Sequence, residues 1–275
     1  MQIGIHLPHA GDQATPELIR RTAQRAEDMG LSDVWVSEHI IVPRASFPRS
    51  PLFFEPVLSL TWAAAVTKRV RLGTSVLVLP MRHPLPLAKE LATLQNFSEG
   101  RLILGAGVGW LEAEFAALGV PFRERGRRTD EGIAMMRAVW SQDPVTFRAK
   151  YIAAEINEMS MLPLPVRPIP IWFGARSEAA YKRTVAIGDG WHGSQLKPEE
   201  AAPIVKSLRS ERPEPEFTIS MRTHWNGKDE GELRDRVAAF EEVGVQHIMV
   251  APVNREVDDW DEVIEGVGRV AAARV

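Results

Sequence analysis

Glu38 and His39 stand side by side in an otherwise apolar stretch, DVWVSEHII, and supply a carboxylate and an imidazole together. Imidazole titrates near neutrality, so His39 suits general acid–base work, although a histidine there can equally serve as a structural hydrogen-bonder. Gly105, Gly107 and Gly109 follow as GAGVG, with Trp110 next. Closely spaced glycines let backbone approach a flat ligand. The same letters only weakly match a dinucleotide loop, because the compact strand–helix–strand unit with its acidic residue about 20 positions on is missing. Gly174, Ala175, Arg176 and Ser177 lie between a strand and a helix, where backbone N–H groups and the helix dipole favour an anion. Arg176 adds a charge-assisted contact for a phosphate; a plain strand-to-helix turn is the alternative.

Other polar groups point to less. His6, His9, His192 and His224 fall near strand ends, but carboxylates are scarce beside them and the spacing of His6 and His9 does not suit one strand face. No metal site is therefore expected. Trp110, Trp191 and Trp225 at strand ends are candidate walls for an aromatic ligand, whereas Trp35, Trp62, Trp140 and Trp260 sit on periodic faces and read as core. The absence of cysteine excludes disulfides, thiolate metal sites and a cysteine nucleophile.

The elements that must position these residues follow a simple alternation. Short apolar strands at Gln2–Leu7, Asp33–Ser37, Val70–Leu79, Leu102–Gly107, Ile169–Phe173, Gly190–Gln195, Phe217–Arg222 and Gln246–Ala251 are each followed by a helical stretch. Thr15 with Pro16 marks the first helix start and Gly30 its end. Eight strand–helix units in 275 residues predict an α/β fold, a (β/α)8 TIM barrel forming a single domain over 1–275. An open doubly wound sheet is the alternative. Two long connections stand out: Ile40–Glu55 after strand two, and Asp143–Pro170, a short insertion region before strand five. Loops of that length are usually functional.

Composition narrows the partners. A net charge of -3, with 25% charged and 45% hydrophobic residues, lacks the basic footprint of a nucleic-acid binder. There is no long apolar run for a membrane span and no leader-like segment in MQIGIHLPH, so a cytoplasmic protein acting on a small-molecule substrate is expected.

Four stretches together resemble the bacterial luciferase-like monooxygenase superfamily, particularly its deazaflavin (coenzyme F420)-dependent oxidoreductase branch. They are GLSDVWVSEH, RVRLGTSVLVLPMRHPLPLAKELATLQNFSEGRLILGAGVGW, GVPFRERGRRTDEGI and PIWFGARSEAAYKRTVAIGDGW. The resemblance implies the barrel, a homodimer, and a tricyclic flavin or deazaflavin at the C-terminal mouth. It implies a bulge with a non-prolyl cis peptide at Ser75–Val76 backing the ring, the Glu38–His39 pair near the reacting atoms, and Gly105, Gly107 and Gly109 beside the cofactor. It also implies that Gly174, Ala175 and Arg176 hold the cofactor's phosphate. Two departures are visible. Some deazaflavin sugar-phosphate dehydrogenases carry a glutamate where this chain has Trp110, which argues for a flatter, more apolar substrate; many relatives have two glycines where it has Gly174-Ala175.

Three functions are open at this point. The first is hydride transfer between coenzyme F420 and a small organic substrate, with His39 relaying a proton and Glu38 orienting the ring or the histidine. The second is an FMN-dependent monooxygenase using oxygen, with reduced FMN delivered by a partner flavin reductase. The third is a non-catalytic flavin- or deazaflavin-binding protein.

Overall fold

Short strands rich in Ile, Val and Leu alternate with capped helices along the whole chain, and a computed structural model places them as follows over residues 1–47, 49–174, 176–252 and 259–273. The elements are β1 (Gln2–His6), α1 (Pro16–Asp28), β2 (Asp33–Val36), α2 (Pro56–Val66), β3 (Arg71–Thr74), β4 (Leu77–Val78), α3 (Pro84–Phe97), β5 (Leu102–Gly107), α4 (Glu112–Ala117) and α5 (Arg125–Ser141). The second half adds β6 (Val145–Arg148), β7 (Glu155–Met159), β8 (Ile171–Phe173), α6 (Glu178–Ile187), β9 (Gly190–Ser194), α7 (Pro198–Glu211), β10 (Thr218–Trp225), α8 (Glu230–Glu242), β11 (His247–Pro252) and α9 (Trp260–Ala272).

The sheet closes on itself. β1 pairs in parallel with both β2 and β11, β3 pairs with both β2 and β5, and the remaining staves run β5–β8–β9–β10–β11. β3 and β4 are two halves of one stave, interrupted at Ser75–Val76, whose peptide is cis. The result is an eight-stave parallel barrel ringed by helices, and the open-sheet alternative is excluded by the β1–β11 ladder. The insertion before β8 carries an antiparallel hairpin, β6–β7, outside the barrel.

Local sequence explains the boundaries. Thr15 Oγ1 accepts the Leu18 N–H at 3.0 Å and Pro16 opens α1, while Gly30 follows with φ +75°. The main core lies between staves and helices, with Ile5, Leu72, Leu104, Ile219 and Ile248 fully buried against helical residues such as Leu60, Leu91 and Val267. A second, smaller cluster lies within the barrel around two tryptophans, Trp35 and Trp172, with Ile103, Met249 and Ala251. Several expectations change here. Trp191 and Trp225 are buried in the main core rather than walling a pocket, because their strands turn those side chains outward under the helices. Trp62 is half-exposed on α2 rather than core, with its indole N–H donating to the Pro16 carbonyl. The chain after β5 enters a short helix, α4, before the longer α5. Among the described residues no helix is long and apolar enough to cross a membrane.

Candidate active site

At the C-terminal ends of the staves a cavity of ≈ 750 Å³ opens, the size range of a small-molecule or cofactor site. Its floor is the bulge between β3 and β4, and every polar atom of Ser75 is engaged there. The Ser75 N–H donates to the Val36 carbonyl at 2.6 Å. Its carbonyl accepts from the Ser37 hydroxyl at 3.1 Å and from the Arg222 guanidinium at 3.2 Å, and its hydroxyl is 2.9 Å from His192 Nε2. Val76 then fits a socket made by absent side chains. A Cβ on Gly107 would lie 2.4 Å from Val76 Cγ2, and one on Gly174 would lie 2.9 Å from Val76 Cγ1. On Gly105 a Cβ would stand 1.7 Å from the Thr74 carbonyl oxygen, so this glycine admits the bulging backbone itself. Gly105 and Gly107, expected to let a ligand approach, thus first admit the bulge, whereas Gly109 (φ +79°) packs against Val78 and Phe115. Gly107, Gly109 and Gly174 also line the cavity.

Glu38 and His39 take separate partners. The buried Glu38 carboxylate accepts the Val78 N–H and Arg82 Nε–H, each at 2.6 Å, so it ties β2 to the stave beyond the bulge. Burial pushes its carboxyl up against the pull of Arg82, which itself also reaches Glu55. His39 Nδ1 instead donates to Glu114 Oε2 at 2.9 Å. Glu114 is buried on α4 and also accepts the Ile40 N–H at 2.9 Å and the Ile41 N–H at 3.3 Å. One carboxylate therefore fixes both the ring and the backbone that carries it, leaving His39 Nε2 as the ring atom able to exchange a proton. Phe47, Phe53 and Trp110 surround that ring, with centroids 5.0, 4.9 and 6.1 Å away. Glu114 is the group that sequence reasoning passed over. Its signal in the sequence is the helical spacing of LEAEFAAL just after the glycines.

The other end of the cavity reaches Gly174, Arg176 and Ser177 at the start of α6, where the Ser177 hydroxyl caps the helix by accepting the Ala180 N–H at 3.3 Å. Arg176 is exposed and bonds Gln195 at 2.8 Å. Ala175, expected with them, lies outside the described residues. Deep in the cavity, Arg222 on β10 is partly buried with no carboxylate partner among the described residues, and its buried Nε–H has no acceptor. Desolvation draws its guanidinium down to about 10, and a partly buried cation without a counter-charge suits an electron-rich or anionic ligand group. Among the described residues no group of three or more His, Asp or Glu is placed to hold a metal.

With this geometry in place, the family profile is decisive: luciferase-like monooxygenase matches over residues 1–266. The chain belongs to the luciferase-like monooxygenase family. It is 34% identical, over 209 residues, to an F420-dependent glucose-6-phosphate dehydrogenase of Amycolatopsis mediterranei (strain U-32). The match covers 72% of this chain but 60% of that protein's length. Among solved structures, an F420-dependent secondary alcohol dehydrogenase in complex with an F420-acetone adduct superposes with a TM-score of 0.78 at 20% identity, covering 97% of this chain and 98% of the other. The monooxygenase RslO1 from Streptomyces bottropensis does so with a TM-score of 0.80 at 21% identity, covering 100% and 98%. At such identities these two likenesses speak for the fold.

Proposed function

We propose that this protein is an oxidoreductase that uses coenzyme F420 to transfer a hydride to or from a small organic substrate. The observation that carries the reading is the His39–Glu114 pair at the lip of a cavity whose floor is the glycine-socketed bulge. Likeness to an F420-dependent dehydrogenase supports the choice of cofactor. The residues present fit such a group: a cavity of suitable volume, a bulge to back a ring, the uncompensated Arg222 cation for its electron-rich part, and Gly174 and Arg176 at the α6 N-terminus for its phosphate. Ala175 completes that last segment by resemblance. When bound, the deazaflavin supplies hydride chemistry at its ring, while the protein supplies position and electrostatics.

In this reading Glu114 holds His39 so that Nε2 takes up or delivers the proton that accompanies hydride transfer. Glu38 holds the bulge through Val78 and Arg82, and so acts on ring position rather than on the proton. Trp110 stands where some sugar-phosphate dehydrogenases carry glutamate, and with Phe47 and Phe53 it makes the lip aromatic. That lip suits a flat, weakly polar substrate. The chain works as one barrel domain, in the cytoplasm and as a homodimer.

A second reading is an FMN-dependent monooxygenase served by a flavin reductase, and the fold shared with RslO1 keeps it open. A paired anaerobic titration of the purified apo-protein with coenzyme F420 and FMN, followed by fluorescence, tests both. Tight binding of F420 alone is expected. Preference for FMN, with oxygen consumed in turnover, would transfer the case to the monooxygenase. Tight binding of either with no turnover of any acceptor would leave a cofactor-binding protein.

A further inference from the structure

The barrel interior carries a line of polar groups that the reading above does not use. From the cavity floor, Ser75 Oγ lies 2.9 Å from His192 Nε2; His192 Nδ1 is 2.8 Å from Ser220 Oγ. Ser220 Oγ is 2.6 Å from His247 Nδ1, and His247 Nε2 is 2.8 Å from Asp33 Oδ1. Asp33 is anchored in turn by Arg71 at 2.7 Å and by the Trp35 indole N–H. All five members are buried, and they come from the bulge and from staves β9, β10, β11 and β2. Barrel interiors are ordinarily filled with branched apolar side chains, so an unbroken polar line through this one needs a reason.

The line has a direction. Burial pushes the Asp33 carboxyl up, but His247, Arg71 and Trp35 outweigh it and hold the group well below the usual carboxylate range, so it is an anion that only accepts. His247 Nε2–H then faces Asp33, and in the starting state of the chain its Nδ1 accepts from the Ser220 hydroxyl. Ser220 Oγ accepts from His192 Nδ1–H, and His192 Nε2 accepts from Ser75 O–H. Burial, with His247 and Arg222 nearby, draws His192 down to about 3. It therefore passes a proton on without retaining it.

We propose that Ser75, His192, Ser220 and His247, anchored by Asp33, form an oriented proton-transfer chain from the cavity floor to the barrel interior. A proton leaving an O–H or N–H group of the cavity ligand bonds to Ser75 Oγ as the Ser75 proton moves to His192 Nε2. The His192 Nδ1 proton moves to Ser220 Oγ, and the Ser220 proton moves to His247 Nδ1. One proton is displaced and no electrons leave the chain. The product is an imidazolium at His247 against the Asp33 carboxylate. The proposal rests on the oxidoreductase reading only for the source of the proton; His39, in that reading, serves a separate proton at the lip.

The test uses ligand-free protein, so it stands whether or not F420 binds. Histidine ¹⁵N NMR is expected to find His192 as the Nδ1–H tautomer and His247 as the Nε2–H tautomer, and His192 is expected to stay neutral on mild acid titration. The groups facing His247 are Asp33 and Trp35 on β2, Trp172 on β8, His192 on β9 and Ser220 on β10, with Arg71 on β3 behind Asp33. Ser220 is fully buried and does not line the cavity. In Ser220→Ala the interconversion of neutral and charged His247, read from line shapes and relaxation dispersion, is expected to slow by roughly 10²-fold. Ser75→Ala cuts the same path at its mouth and decides the matter where Ser220→Ala does not fold. Unchanged interconversion in the folded variant, the reverse tautomers, or His192 charging first would each overturn the chain.

Discussion

Glu114 is asked to do three things with two oxygens: accept from His39, from the Ile40 N–H and from the Ile41 N–H. Removing it by Glu114→Ala leaves three partly buried donors without their acceptor, at a total cost on the order of 1–3 kcal/mol. Both stability and turnover are expected to fall, measured by urea unfolding and initial rates. Glu114→Gln keeps an acceptor oxygen but loses the charge, so its stability should stay close to the parent while turnover drops. His39→Ala tests the ring itself. It is expected to lower turnover by roughly 10²-fold with little change in cofactor dissociation constant. Near-normal turnover would return His39 to a structural role. At this scale the sequence was only half legible. The Glu38–His39 adjacency looked like a working pair because neighbours in sequence look like neighbours in space. On a strand, successive side chains point to opposite faces, and at the strand end that geometry sends Glu38 to Arg82 and His39 to α4.

At the scale of elements, the broken stave and its glycine socket are one device. Gly105 meets backbone and cannot yield, whereas Gly107 meets a side chain that can. Gly105→Ala is expected to cost about 1–3 kcal/mol or more from overpacking and to abolish cofactor binding. Gly107→Ala should fold and bind more weakly, and adding Val76→Ala should recover part of the loss, since Val76 Cγ2 is the atom struck. Additive effects in that double-mutant cycle, read as cofactor dissociation constants, would dissociate the two residues. Glycine spacing was visible in GAGVG, but what each glycine accommodates was not, because the contact partner lies on a neighbouring stave. The eight-unit alternation was legible because periodicity is a local property. α4 was not, since six residues hold too few turns to register, and Trp191 and Trp225 misled because strand ends do not say which face a side chain takes.

The whole molecule is shaped by how much polar chemistry it buries. The polar line inside the barrel, and the histidines beneath the cavity, make folding sensitive to acid. His6, His9 and His192 are all held below the ordinary imidazole value, in each case chiefly by burial. For His192 the folded value is about 3 against 6.5 for the free side chain. Between those two values the unfolded chain binds a proton that the folded chain does not. Stability therefore rises with pH across that window; the contribution is intact above 6.5 and is lost as the pH falls below it. At pH 5 this one residue removes about 2 kcal/mol, and His6 and His9 act in the same direction. Chemical denaturation from pH 7.5 to 4.5 is expected to show a steep acid-side loss. His192→Gln is expected to lower stability at pH 7.5, because Ser75 and Ser220 lose well-placed partners. Its loss with falling pH should nevertheless be shallower, by about 1.4 kcal/mol per pH unit below 6, because one titrating group is gone. Parallel pH curves for parent and variant would mean that His192 is charged in the folded protein. That would remove both this account of acid sensitivity and the neutral link on which the buried chain depends.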